Sequence, residues 1–346
     1  MLNQPDQTQT KKVGEPDWTQ IIKTKKDTWN GVEEADWMAR LPDERPLSHI
    51  CLPGSHDSAT AHTQSTGVVS SAVSWICRAI NCQSLSISEQ LNAGVRFLDL
   101  RLYPEKDGSG SIQFVCVHGA GKLRYTCTWP ESEQALKFEE VQDECRTFLR
   151  EHPTETIVIS IKKEDGDDNL MAELPKLFVP DLWYTDSVVP ALSMVRGKMV
   201  LVRRFALPDR LLPCGIDLSA WDASRDNDRP AGVFPVPKEG AEPTAWIQDD
   251  FQYWRPFTNW TVTDKWVQRV EPAFVQFNES EADHPLQINC TSCTNFMDVP
   301  TLVQTMNPVL IQFLDVQGMG CFDCWIVSDY VDATLCRAVF TLNDPN

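Results

Sequence analysis

The feature that most constrains this chain is a series of short apolar runs, each ending on a polar or ionisable side chain. Val95–Arg101, Phe114–His118, Ile157–Lys162, Met199–Arg204, Ala245–Asp249 and Cys324–Asp329 all have this form, and Ile50–Leu52 leads into His56 through Pro53 and Gly54. Gln287–Thr291 supplies a further run without a charge. In a strand alternate side chains share a face. Counting back by twos from Arg204, Asp249 and Asp329 gives Val202, Ile247 and Val327, so one face passes from an apolar interior to a charged mouth. Between the runs lie helical patterns, such as Phe138, Val141, Cys145, Phe148 and Leu149 ahead of Pro153, and a helix capped by Ser88 that stops at Gly94. Strands alternating with helices imply a parallel sheet. The expected fold is α/β, a single (β/α)8-type TIM barrel, distorted or incompletely closed, with its site at the carboxyl ends of the strands.

Residues 45–346 are assigned to that barrel. Residues 1–44, polar and broken by Pro and Gly with Trp18, Trp29 and Trp37 among the charges, read as an N-terminal extension and lead-in helix. The whole chain is 346 residues, long enough for one large barrel with a full core. A net charge of -18 excludes a nucleic-acid partner, which needs clustered cations, and opposes adsorption to anionic lipid. Met1–Gln7 has no basic segment followed by an apolar one, and no run approaches membrane-spanning length, so a cytoplasmic location is the default expectation.

Twelve cysteines and the N-x-S/T triplets at Asn259, Asn278 and Asn289 point towards an oxidising compartment, while reduced thiols remain the commoner use of such residues. The pairs Cys290/Cys293 and Cys321/Cys324 have the spacing of a four-thiolate zinc site, although the second pair abuts a strand instead of a knuckle. No metal and no cofactor are assigned.

The candidate chemistry gathers at the strand ends. His56 and Asp57, just past a strand and a Pro-Gly turn, suit proton transfer, and the same heptapeptide Leu52–Ser58 also reads as an N-cap cluster with His56 merely solvated. Phe97, Asp99 and Arg101 share a face, either as a structural ion pair or as a fixed cation for an anionic substrate. His118 is the second acid or base, and Lys162 closes the next strand. Lys163 and Arg203 fall on the opposite face. Residues 221–243, rich in Pro, Asp and Gly, read as a long loop near the mouth that could act as a lid. Trp246, Phe251, Tyr253, Trp254, Phe257, Trp260 and Trp266 crowd the next stretch, as core, ligand wall or lipid-interface contacts.

The stretches LPGSHDS (52–58), AGVRFLDLR (93–101), VHG (117–119), HPTETIVISIKKE (152–164), RGKMVLVRRF (196–205), WIQDDF (246–251) and WIVSDY (325–330) occur in that order. Together they resemble the phosphatidylinositol-specific phospholipase C X-domain family, in its bacterial-type, metal-independent branch with fungal relatives. That resemblance implies that His56, paired with Asp329, is the general base on the inositol 2-hydroxyl. It implies that His118, supported by Asp57, is the general acid on the leaving glycerol oxygen. Arg101, partnered by Asp99, would hold the phosphate where the calcium-dependent branch uses a metal. Lys162, Arg204 and Asp249 would bind inositol, with Gly119 beside His118. Phe251 would stack beneath the sugar ring where the bacterial enzymes carry tyrosine. The substrate expected from the resemblance is a phospholipid or inositol phosphodiester, met at a transient membrane contact. Turnover of another phosphodiester or small substrate, and a non-catalytic barrel that binds a lipid headgroup, are the competing readings.

Overall fold

The structure, a computed structural model, describes residues 18–65, 80–119, 124–129, 134–225, 228–238, 241–251, 261–278, 285–294 and 299–345. Among these, one 13-stranded sheet organises the molecule. Its strands are β1 Leu52–Ser55, β2 Thr63–Ser65, β3 Phe97–Lys106, β4 Ile112–His118, β5 Tyr125–Cys127, β6 Ile157–Lys163 and β7 Trp183–Tyr184. They continue with β8 Met199–Arg204, β9 Ile216–Asp217, β10 Val233–Lys238, β11 Ala241–Gln248, β12 Leu286–Cys290 and β13 Trp325–Ser328.

A parallel run passes β9, β8, β6, β3, β1, β13, β12 and β11 in spatial order. The fold is α/β, a (β/α)8-type TIM barrel. No ladder joins β9 to β10 among the described residues, so hydrogen bonds leave the barrel open there, with β10 antiparallel on β11 at the free edge.

Strand parity holds around the wall. Leu52, Phe97, Val158, Val200, Val202, Ile247, Ile288, Trp325 and Val327 form one buried interior cluster. Their neighbours Leu98, Leu100, Ile159, Leu201 and Ile326 face outward, into a second cluster with the helix Phe138–Glu151. At about 25 cal/mol per Å2 of apolar surface buried, two such clusters supply the dominant driving force for folding. Trp29, Trp37, Met38 and Leu41 belong to the interior cluster too, so the lead-in segment packs against the barrel. The helix Trp18–Thr28 precedes it, and Arg337 grips it through Glu34 and the Val32 carbonyl.

Four local expectations are corrected. The first strand begins at Leu52 and runs through Pro53 and Gly54, because the Cys51 N–H is taken by Asn343 Oδ1 at 2.8 Å. Gly54 faces inward, where a Cβ would meet Phe97 Cδ1 at 3.0 Å, so no side chain fits between Phe97 and Val327. The helix Ile87–Asn92 is capped by Ser86 in a capping box with Glu89, while the Ser88 hydroxyl donates to Glu144. The strand carrying His118 is not a barrel stave: β3 overruns the rim and β4 returns antiparallel to it, flanked by β5 and β2. The eighth stave is β9, which lies within a stretch of mixed composition. Lastly, residues 221–243 hold the short helix Trp221–Ser224 and β10 as well as loop.

The sequon at Asn289 is buried, its side chain bonded to Gln248 and the Val270 carbonyl, so it is not a surface acceptor. Asn259 lies outside the described residues, and Asn278 ends the helix Glu271–Asn278. No described helix is long and apolar enough to cross a membrane.

Candidate active site

The parity of β1, β3, β6, β8, β11 and β13 delivers His56, Asp99, Arg101, Lys162, Arg204, Asp249 and Asp329 to the wall of one cavity of about 120 Å3. His118 reaches the same cavity from the end of β4. After β1 the chain turns sharply, with His56 N–H donating to the Ser328 carbonyl and Ser58 N–H to the Asp99 carbonyl. Asp57 between them takes φ 43°, and Tyr330, following Asp329, takes φ 46°. Non-glycine residues in that region cost about 1–3 kcal/mol each, and such strain concentrates at functional sites.

The turn sets Asp57 between two imidazoles. Its Oδ2 lies 3.3 Å from His56 Nε2 and 3.3 Å from His118 Nε2. Its Oδ1 forms an ion pair with Arg101 Nε, and its side chain is wholly covered. His56 Nδ1 is 2.8 Å from Asp329 Oδ1, and His118 Nδ1 is 2.9 Å from the Ile80 carbonyl. His56 Nε2 also lies 3.0 Å from Arg101 Nη2. That nitrogen therefore faces one donor and one acceptor, so both its protonated and its neutral form find a partner.

Electrostatics divide the pair. Burial is the largest effect on His56 and lowers it, but Asp57 and Asp329 together outweigh burial and raise it to about 9. Burial lowers His118 below its ordinary value, and Asp57 offsets only part of that. Asp57 is held well below the carboxylate range: burial opposes ionisation, and Arg101, His56 and His118 overcome it.

Residues 44–205 match the profile of the family described as phosphatidylinositol-specific phospholipase C, X domain. Over that segment, a little under half of the chain, the protein is similar to the X domain of phosphatidylinositol-specific phospholipase C. Among its relatives, the 1-phosphatidylinositol phosphodiesterase of Listeria monocytogenes is 25% identical over 320 residues, 88% of this chain and 82% of that protein. PI-PLC X domain-containing protein 1 of Mus musculus is 29% identical over 153 residues, 39% of this chain and 41% of the relative, so the match spans less than half of it. In fold, the phosphatidylinositol-specific phospholipase C of Staphylococcus aureus superposes with TM-score 0.68 at 21% identity, covering 90% of this chain and 98% of that one.

The matched X-domain segment holds His56, Asp57, Asp99, Arg101, His118, Lys162 and Arg204, whereas Asp249, Phe251 and Asp329 come from beyond it. Within this segment two pairings differ from expectation. The carboxylate on Arg101 is that of Asp57, while Asp99 accepts from Arg204 Nη1 at 3.1 Å, because the turn at Asp57 folds its side chain back over β3. Gly119 follows β4 with φ 78° and does not line the cavity. Asp249 accepts from Trp221 Nε1 at 2.9 Å, and Arg225 covers the ring of Phe251 at 4.4 Å.

Several residues at the site, in the matched segment and beyond it, escape a sequence reading. Glu164 pairs with Arg101 Nη1 at 3.4 Å and Lys162 at 3.3 Å, and its parity with Lys162 was the available signal. Asp222 meets Lys162 at 3.0 Å, Arg204 at 3.2 Å and Arg225 at 2.9 Å from a helix that carries no strand signal. Lys163 and Arg203 do point away, towards Asp168 and Asp217. The four-thiolate zinc reading finds no support: Cys290, Cys293, Cys321 and Cys324 form no ligand cluster among the described residues, with Cys290, Cys293 and Cys324 buried and Cys321 half-buried. Trp266 is core and Trp246 half-buried, whereas Tyr253, Trp254, Phe257 and Trp260 lie outside the described residues.

Proposed function

We propose that this chain is a metal-independent phosphorus-oxygen lyase that cleaves phosphatidylinositol, or the glycosyl-phosphatidylinositol of an anchor, to diacylglycerol and inositol 1,2-cyclic phosphate. The observation that carries the reading is the single carboxylate of Asp57 set 3.3 Å from Nε2 of both imidazoles, with Arg101 on its other oxygen. Acid and base are thereby aimed at one place, beside a fixed guanidinium.

In the forward step His56 Nε2 accepts the proton of the inositol 2-hydroxyl as that oxygen attacks phosphorus. The bond from phosphorus to the glycerol oxygen breaks, and His118 Nε2 delivers its proton to the leaving oxygen. One proton enters the pair and one leaves, so no water is consumed. In the free site the shared proton sits mainly on His56, raised to about 9, and the phosphate anion entering beside His118 favours moving it there. Arg101 supplies a rigid two-pronged cation for the phosphate oxygens, which is the role a metal would otherwise fill. Its guanidinium, held by Asp57 and Glu164, stands among the carboxylates that would have to ligate one. Lys162, Arg204 and Asp249 offer the hydrogen-bonding groups a polyol needs, and Phe251 an apolar face.

The net charge of -18 weakens approach to an anionic bilayer, so a membrane contact would rest on apolar side chains at the rim. The test is turnover of phosphatidylinositol vesicles in EDTA, with the product followed by phosphorus NMR. A cyclic phosphate formed at an undiminished rate is expected. Activity that disappears in EDTA and returns with calcium overturns the role given to Arg101. A chain idle on phosphatidylinositol that turns over a soluble phosphodiester overturns the substrate.

A further inference from the structure

Cys82 lies on the cavity wall, and the lyase reaction gives it no role. It is 3% exposed, yet it lines the same cavity as the two imidazoles. Its backbone is fixed, the N–H donating to Thr60 Oγ1 at 3.0 Å and the carbonyl accepting from Tyr330 at 2.7 Å. Its Sγ lies 3.9 Å from Asp57 Oδ2, the same oxygen that stands 3.3 Å from His118 Nε2. The three ligand atoms of Asp57, Cys82 and His118 all fall within 4.8 Å of one another. Ligands about 2.0–2.3 Å from a tetrahedral zinc ion sit about 3.5 Å apart, so little movement separates this arrangement from a three-donor cation site with an open fourth position.

His118 is also presented as a metal ligand would be. With Nδ1 donating to the Ile80 carbonyl, Nε2 carries the lone pair, and a backbone acceptor behind the ring is the usual means of orienting a ligating histidine. His56 is the poorer donor, because Arg101 Nη2 stands 3.0 Å from its Nε2 and repels a cation there. Asp57 can serve both sides, one oxygen towards Arg101 and the other towards the gap between Cys82 and His118.

We propose that Cys82, His118 and Asp57 form a binding site for a thiophilic divalent cation of the Zn2+ class, and that its occupation switches the active site off. The inhibitory half rests on the lyase reading above; the binding half does not. On binding, the thiol of Cys82 loses its proton to solvent and Cys82 Sγ, His118 Nε2 and Asp57 Oδ2 become the ligands. His118 then has no nitrogen left to protonate a leaving oxygen.

Two measurements on the full chain test this. The first is titration of the metal-free protein with Co2+, read by the thiolate-to-cobalt charge-transfer absorption. One equivalent of band is expected in the wild type and none in Cys82→Ser or Cys82→Ala, each checked by its circular dichroism melt. A wild type without the band, or a band unchanged in both variants, overturns the site. The second is the concentration of Zn2+ that halves turnover of vesicles of phosphatidylcholine and phosphatidylinositol, expected to rise about tenfold or more in Cys82→Ser relative to its own metal-free rate. Equal sensitivity in the two proteins overturns inhibition through Cys82. A wild type without turnover in metal-free buffer overturns the lyase reading instead, and the cobalt titration still decides whether the site exists.

Discussion

Arg96 and Arg101 belong to one stretch of chain, leading into and along β3, and each is paired with a carboxylate, but they are used in opposite ways. Arg96 is fully buried, with Nε and Nη2 each 2.9 Å from Glu155 Oε2. Its remaining donors go to the carbonyls of Leu91 and Val95 at 2.8 Å and Ala35 at 2.7 Å, and its guanidinium stacks over Phe148. Nothing is left for a ligand. Arg101 has 16% of its side chain exposed, and its described partners are the ionisable groups Asp57, Glu164 and His56, with no carbonyl among them. The difference follows from parity and position: Arg96 points outward at the amino end of β3, into the lead-in segment, while Arg101 points inward at the mouth. A saturated guanidinium ties elements together; one held by groups that can exchange partners can take a phosphate.

The largest effect that sharpens this contrast lies with the groups that share Arg101's carboxylate. His56→Ala and His118→Ala should each lower turnover by at least about 10^3-fold, and the double variant should lose little more, since the pair acts as a unit. Additive losses would mean that the two do not share a step. Arg101→Lys should cost about 10^2–10^3 in kcat, because a point charge cannot reproduce a two-pronged contact, while its melting temperature stays near that of the wild type. A Lys variant as fast as wild type would erase the functional side of the comparison.

Arg96→Ala reverses the pattern. Leaving Glu155 buried and unpaired should cost about 3–5 kcal/mol in denaturant unfolding, with turnover per folded molecule retained. Loss of turnover without loss of stability would break the structural side. The smallest effect is a shift in the pH profile of kcat/KM, which should be bell-shaped. Asp329 is one of the two carboxylates that raise His56 to about 9, so Asp329→Asn should lower that imidazole and move its limb of the profile to lower pH. A limb that stays in place would remove Asp329 from the pair.

Much of this was legible from the chain. The inward set Asp99, Arg101, Lys162, Arg204, Asp249 and Asp329 follows from counting by twos, and the structure brings all of it to one cavity. Lys163 and Arg203 were excluded on the same count. What escaped was of two kinds. Glu164 obeys the same parity but lies past the apolar run that ends at Lys162, and β6 itself extends to Lys163. Cys82 and Arg225 sit in irregular segments and Asp222 on a one-turn helix, where no periodicity marks a direction.

By itself, then, the sequence determined which residues line the barrel and which support it from outside, since that depends only on the local alternation of a strand. Tertiary structure decided the partners. Asp57, not Asp99, meets Arg101, and Asp99 meets Arg204, because those distances depend on the stagger between neighbouring staves and on a left-handed turn at φ 43°. It also decided that His118 arrives on an antiparallel arm above the rim, and that a thiol from an irregular segment stands beside it. Alternation is written residue by residue; closure of the sheet brings together groups far apart in the chain, and no local pattern encodes that.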